Sequence, residues 1–359
     1  MPLSDQRILI ETRLLAATPQ AITEAAALIR AGALVAFPTE TVYGLGANAQ
    51  DAAAVARIFI AKGRPTTDPL IVHLADRDQL AGVVSGGLPL IAERLIQAFW
   101  PGALTLILPR HPNIPPIVSA GLATVAVRMP NHPVALALLR AAAVPIAAPS
   151  ANRFAHTSPT SARHVYDDLA GRLSLILDGG PTLIGVESTI LDLTSSPHRV
   201  LRPGGVSLAA IREIAPDAVL ISHYAGANEE PAEAQIAPGQ LLIHYAPHAT
   251  LYLFEGTDEA VRSAIHLTAV NYQAAGQRVG LLIADEDVAP LADLGLPYSA
   301  LGGRDDLPTV AQRLFAGLRA LDTRGVTIIL ARSFADDGLG TAIRDRLLRA
   351  AAGRLIRVD

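Results

Sequence analysis

Short runs rich in Val, Ile and Leu recur along the chain, and most are followed by a longer Ala/Leu segment before the next begins. Runs of the first kind fit strands and segments of the second kind fit helices, which confines the chain to an α/β or mixed α+β fold. Strands are expected over 33–38 (ALVAFP), 70–74 (LIVHL), 104–109, 124–130, 145–150, 173–179 and 188–193, and helices over 19–31, 52–61, 88–98, 132–143 and 160–169. The texture changes near residue 220, where 223–247 is polar and Pro/Gly-punctuated at first and reads as a linker. After it TLYLFEG, RVGLLIA, LPYSAL and VTIILARS interleave with helical segments as a second, smaller α/β unit. At 359 residues the chain is long for one domain. The expected division is 1–220, a linker or lid at 221–248, and 249–359.

The formal charge of −4 argues against a broad basic surface for nucleic acid. There is no cysteine, so thiolate nucleophiles and cysteine metal sites are excluded. No stretch is apolar for the length of a membrane span and the first residues lack the apolar core of a signal peptide, so a cytoplasmic location is expected. Of the 29 basic residues, 28 are arginine and Lys62 alone is lysine, in IFIAKGRPTTDPLIVH (58–73). A compact ammonium in a chain that otherwise uses arginine, with the planar fork of Arg64 two residues on, points to an anion site.

Familiar phosphate signatures are weak here. A Walker loop is absent, because the only lysine follows FIA. GLGANA (44–49) fits the spacing G-x-G-x-x-A, but it starts six positions after Pro38 and no acidic residue closes a second strand about 20 positions later; a glycine-rich turn entering a helix is the simpler reading. His244 and His248 have the spacing of a helical metal pair, yet Pro247 stands between them. What remains is a set of polar clusters at strand ends: PTETVYGLG (38–46), AKGRP (61–65), APSANR (148–153) and GVESTILDL (185–193). Together they suggest an open cleft at one edge of a sheet. Ser158 before Pro159 also reads as a helix N-cap.

In order, PTETVYGLG, KGRP…PLIVH, WPGALTLIL, VAVRMPNHP, PIAAPSANR…SPT, DGG…GVESTILDL and LRPGG resemble the signature blocks of the L-threonylcarbamoyladenylate synthases, in their long two-domain form with a YrdC-type N-terminal domain. HYAPH (244–248) resembles that family's linker motif, and GLGTAIRDRLLRAA (338–351) a block of its C-terminal domain. The resemblance implies a twisted mixed-sheet YrdC-like domain with an open cleft, followed by a smaller Rossmann-like α/β domain. It implies that L-threonine, bicarbonate or carbon dioxide, and ATP give threonylcarbamoyl-AMP and pyrophosphate, with Mg2+ accompanying ATP and other tRNA-modification proteins using the product. Such chemistry brings anions together, so it needs cations and oriented dipoles more than a nucleophile.

Carried over position by position, the family's K-x-R and S-x-N elements fall on Lys62, Arg64, Ser150 and Asn152 as catalytic residues. Arg64, Asp68, Thr124, Ser150, Ser158, Arg202 and Tyr245 match ATP-contacting positions, and Thr41, His73, Arg128, Ala148 and Ser188 match threonine-contacting ones. Arg128 is the natural partner of the amino acid's carboxylate. No carboxylate cage for a metal is visible, so its ligands stay unassigned. Two departures stand out: Asp68 where the family has asparagine, and Ala155 where it has glycine. Two rival readings are an RNA-binding module of tRNA or ribosome maturation, which the acidic balance disfavours, and a carbamoyl-transferring relative whose zinc-finger cysteines this chain lacks.

Overall fold

The computed structural model describes residues 10–221, 235–238 and 245–359. In chain order the first part contains β1 (Arg13–Ala16), α1 (Pro19–Arg30), β2 (Val35–Phe37), β3 (Gly44–Asn48), α2 (Ala52–Lys62), β4 (Ile71–His73), α3 (Leu90–Phe99), β5 (Leu104–Pro109), β6 (Thr124–Arg128), α4 (Pro133–Ala142), β7 (Ile146–Ala147), α5 (Ala162–Leu169), β8 (Leu175–Asp178), β9 (Thr189–Asp192), β10 (Arg199–Arg202), α6 (Leu208–Arg212) and β11 (Val219–Leu220). These strands form one mixed sheet in the order β1-β8-β2-β3-β7-β4-β6-β5-β9-β10-β11. The second part contains β12 (Thr250–Gly256), α7 (Asp258–Ala274), β13 (Val279–Ile283), α8 (Asp285–Val288), β14 (Tyr298–Ala300), α9 (Leu307–Thr323), β15 (Ile328–Arg332), α10 (Leu339–Ala350) and β16 (Leu355–Val358). Its sheet runs β14-β13-β15-β12-β16, with every pairing parallel, as expected of an α/β unit whose helices cross between strands.

Local chemistry explains the helix boundaries. Thr18 accepts from the Ala21 amide ahead of α1, with Pro19 at its first position, and Asp51 accepts from the Ala53 and Ala54 amides to start α2. Gly63, left-handed at φ 68°, ends α2 just after Lys62 and turns Arg64 back toward the sheet. Two local readings are corrected. The cap of α5 is Ser161, which accepts from the His164 amide, and not Ser158, whose hydroxyl is taken by Glu187. GLGANA lies mostly in strand β3 rather than in a turn: Gly46 pairs with Val35, and a Cβ there would sit 2.8 Å from the Phe37 ring and 2.9 Å from Ile146. The edge strands β1, β11 and β16 and the four-residue β10 were not anticipated; they are short, and β1 and β16 are largely uncovered by the core.

The sheet's covering decides where a site can form. One face packs across its breadth against α2, α3 and α5. The opposite face is covered by α1 and α4 over β2 and β8, and farther along by Ala237 resting on Ile71, Ile107, Ala126, Ile190 and Leu201. Between these two covers the middle strands are left open to a cleft. The C-terminal unit closes against the same region, since Val42, Val186 and Tyr245 pack into its core with Leu251, Phe315 and Ala342. Gly185 makes this approach possible: at φ 83°, a Cβ there would lie 2.3 Å from the Ala311 carbonyl oxygen of α9.

Candidate active site

The cleft encloses about 520 Å³ counted out to bulk solvent. Its floor is Ile71 and His73 of β4 with Arg128 of β6, and its walls are Thr39, Thr41, Val42 and Gly44 after β2, Arg64 after α2, Ala148 to Ser150 after β7, Glu187 and Ser188 before β9, Arg202 at the end of β10, and Pro238 with Tyr245. All five residues matched to threonine contact line this one space, and so do four of those matched to ATP, Arg64, Ser150, Arg202 and Tyr245. Lys62, Asp68, Asn152 and Ser158 stand behind its wall, and Thr124 is not among its lining residues. Thr124 shares a face of β6 with Ala126 and Arg128, two strand steps beyond the arginine.

Lys62 faces the protein rather than the space. At 1% exposure, its Nζ donates to the carbonyl oxygens of Ser150 at 2.6 Å and Asn152 at 2.5 Å, with Asn152 Oδ1 at 3.5 Å. Three oxygens around one buried nitrogen suit a compact amine better than a planar guanidinium. Burial, with the neighbouring Arg64 adding to it, depresses the Lys62 pKa well below that of a free lysine. Asn152 completes the loop by donating to the carbonyls of Arg153 at 2.8 Å and His156 at 2.7 Å. The K-x-R and S-x-N elements therefore meet, with the lysine shaping the loop that presents Ser150.

Arg64 donates to the carbonyl oxygens of Asp68 at 3.0 Å and Pro69 at 2.7 Å, and lies 2.8 Å from the Asp68 carboxylate. The unexpected aspartate thus sits against an arginine. Arg128 donates to Thr41 Oγ1 at 3.0 Å and the Gly102 carbonyl at 3.2 Å, and pairs with Glu40 at 2.6 Å. His73 donates from Nδ1 to the Ile71 carbonyl at 3.2 Å; burial first, and Arg128 second, push its pKa down to about 3, so the ring is neutral. Arg202 holds the Ser188 carbonyl at 2.9 Å and hydroxyl at 3.2 Å, and that hydroxyl is 2.8 Å from Thr105 Oγ1. Burial lowers the Arg202 pKa, against the pull of Tyr245 and Glu187.

Tyr245 is buried at φ 62°, its ring 5.5 Å from that of Phe315 in α9. The next residue, Ala246, donates to the Ala155 carbonyl at 2.8 Å, and Ala155 itself has φ 64°. The departure from glycine at 155 therefore falls on a left-handed backbone, where a Cβ costs energy. Leu241 to His244 lie outside the described residues, as does most of the expected linker. Sequence reasoning did not single out Glu40, Glu187 or Arg346. All three lie inside quoted blocks; for the first two a carboxylate beside an anion site was the available signal, whereas nothing in GLGTAIRDRLLRAA (338–351) set Arg346 apart from the arginines around it. Among the described residues no group of three His, Asp or Glu is placed to hold a metal ion, and no helix is long and apolar enough to cross a membrane.

A family profile described as "Telomere recombination" matches residues 27–204, and one described as "Threonylcarbamoyl-AMP synthase, C-terminal domain" matches 206–352. The chain is 48% identical to the threonylcarbamoyl-AMP synthase of Bacillus subtilis over 94% of both chains. It is 44% identical to that of Pyrococcus abyssi, over 93% of this chain and 95% of the other. The crystal structure of P. abyssi Sua5 complexed with L-threonine superposes with a TM-score of 0.87 at 42% identity, covering 98% of this chain and 99% of that one. With both halves matched in order and near-complete coverage, the chain belongs to the threonylcarbamoyl-AMP synthase family.

Proposed function

We propose that the cleft joins L-threonine, bicarbonate or carbon dioxide, and ATP into threonylcarbamoyl-AMP and pyrophosphate, in the cytoplasm, for the tRNA-modification proteins that consume the product. The observation that carries this reading is the single space shared by Thr41, His73, Arg128, Ala148 and Ser188 with Arg64, Ser150, Arg202 and Tyr245. The threonine carboxylate would lie against the Arg128 fork, taking the place of part of its contact with Glu40. Its amine, as the free base, forms the N–C bond to carbon dioxide and loses a proton, giving a carbamate. A carbamate oxygen then bonds to the α-phosphorus of ATP as the bond to the β-phosphate oxygen breaks, and pyrophosphate leaves with the electron pair. Arg64, Arg202 and the loop braced by Lys62 offset the charge that gathers on the phosphates.

Magnesium would enter with ATP and be held chiefly by the nucleotide, because the nearby carboxylates Asp68, Glu40 and Glu187 are each engaged by an arginine. When bound, it would neutralise phosphate charge. Neutral His73 and the hydroxyls of Thr41 and Ser188 are suited to a hydroxyl-bearing side chain; such a site rejects valine more strongly than serine. Division of the chain into 1–220, 221–248 and 249–359 gives each part a role: cleft, lid and anchor. Packing of Tyr245 on Phe315 supports a lid tied to the C-terminal unit and shielding the mixed anhydride from water.

The test is pyrophosphate release from ATP and bicarbonate with and without threonine. Threonine-dependent release is expected. Release that ignores threonine, or that proceeds as well with valine, would overturn the assignment.

A further inference from the structure

The C-terminal unit sends one side chain into the back of the cleft wall. Arg346 of α10 is 1% exposed. Its Nε donates to Glu187 Oε2 at 2.7 Å, one terminal nitrogen to Asp345 Oδ2 at 2.5 Å, the other to the Pro203 carbonyl at 3.0 Å, and its guanidinium lies 5.0 Å from the centre of the Tyr245 ring. Glu187 takes the Ser158 hydroxyl on its other oxygen at 2.5 Å. Burial works against the charged form of Arg346, but Tyr245, Glu187 and Asp345 outweigh it and raise its proton affinity.

The puzzle is Glu187. It lines the cleft beside Arg64, Ser150 and Arg202, where a bare carboxylate would repel a polyphosphate. We infer that Arg346 is a positioning residue for nucleotide binding: it keeps Glu187 as a compensated pair in the wall of an anion cleft and steadies the Tyr245 ring beside it, so that the C-terminal unit sets the charge of a site built on the other sheet. The inference rests on ATP being bound there, as proposed above. A structural role alone, gluing α10 to the first unit, makes different predictions.

In the full chain, Arg346→Met should raise KM for ATP on the order of tenfold or more, with a smaller effect on kcat. Adding Glu187→Gln removes the repelling charge and should recover most of that loss, although the bond between the units is still gone. Arg346→Lys, which keeps the charge and loses the fork, should lie nearer the wild type. Arg346→Gln, which keeps a donor and loses the charge, reads the same contrast if the methionine variant does not fold. If instead Arg346→Met leaves KM for ATP unchanged, or the double variant is no better than Arg346→Met and lysine no better than methionine, the inference is overturned. Calorimetric titration with ATP measures the same contrast without turnover. A wild type that binds ATP but releases no threonine-dependent pyrophosphate would overturn the reaction while leaving these affinities to decide the role of Arg346.

Discussion

At the end of β15, Arg332 gives one terminal nitrogen to both oxygens of Asp287, at 2.8 and 2.7 Å, and the other to Asp258 at 2.5 Å. Arg262 and Arg304 approach the same acids together with Glu286, so three arginines meet three carboxylates. Of that cluster only Arg332 and Asp287 are buried; the charges around the cleft of the first unit, also gathered near strand ends, are buried throughout, and their balance differs. Arg64, Arg128 and Arg346 each face one of Asp68, Glu40 and Glu187, with Asp345 shared between Arg346 and Arg349, while Lys62 and Arg202 give their hydrogen bonds to neutral oxygens. The C-terminal cluster is neutralised within itself. The cleft keeps a cationic surplus beside an open space, and that surplus marks a place for an anion.

Four measurements test this contrast. The largest effect is expected at Arg332. Arg332→Met leaves fully buried Asp287 without its main partner, so urea unfolding should show a loss of about 3–5 kcal/mol, while KM for ATP stays at its wild-type value. A shifted KM with little loss of stability would make the C-terminal cluster a second anion site. Next comes Lys62→Arg, which keeps the charge but overfills the pocket between Ser150 and Asn152. Turnover at saturating substrate should fall by roughly a hundredfold, and a wild-type rate would remove the shaped loop from the mechanism.

A smaller effect concerns pH. His73 is neutral in the folded chain down to about 3, whereas an unfolded histidine takes up a proton near 6.5. The unfolded state therefore binds more protons between those values, and stability falls as pH drops through that window. His164, pushed down to about 4 chiefly by burial, acts with the same sign. His73→Asn should flatten the decline in unfolding free energy on acidification, and an unchanged slope in urea melts would show that the floor of the cleft is not a source of acid lability. The smallest effect is expected at Ala155, whose φ is 64°. Ala155→Gly should raise stability by up to about 1 kcal/mol by relieving the left-handed backbone; a loss would mean that the methyl group packs usefully in the loop that receives Ala246.

Much of this molecule was legible in its sequence because the signals were local. The strands at 104–109 and 124–128, the latter two residues shorter than expected, and the helices beginning at Pro19 and Ala52 follow from apolar periodicity and capping, which act over a few residues. The polar blocks that flank the cleft were visible for the same reason, and their order carried the family resemblance. Less legible were the edge strands, whose short mixed sequences gain extended form only from a neighbour already in place.

Lys62 shows where the boundary between sequence and structure runs. Its status as the one lysine among 29 basic residues is a fact of sequence, and it pointed to a special site. That its amine turns inward to two carbonyl oxygens, instead of outward to a ligand, depends on a loop 88 and 90 positions away along the chain. The pairing of Glu187 with Arg346 spans 159 positions and two sheets. Propensity and periodicity carry no information about such partners, because the desolvation and charge compensation that fix them arise only once distant segments are packed together. The sequence by itself determined the elements, the chemistry available and the family; the tertiary structure decided which charges cancel and which are left over for a ligand.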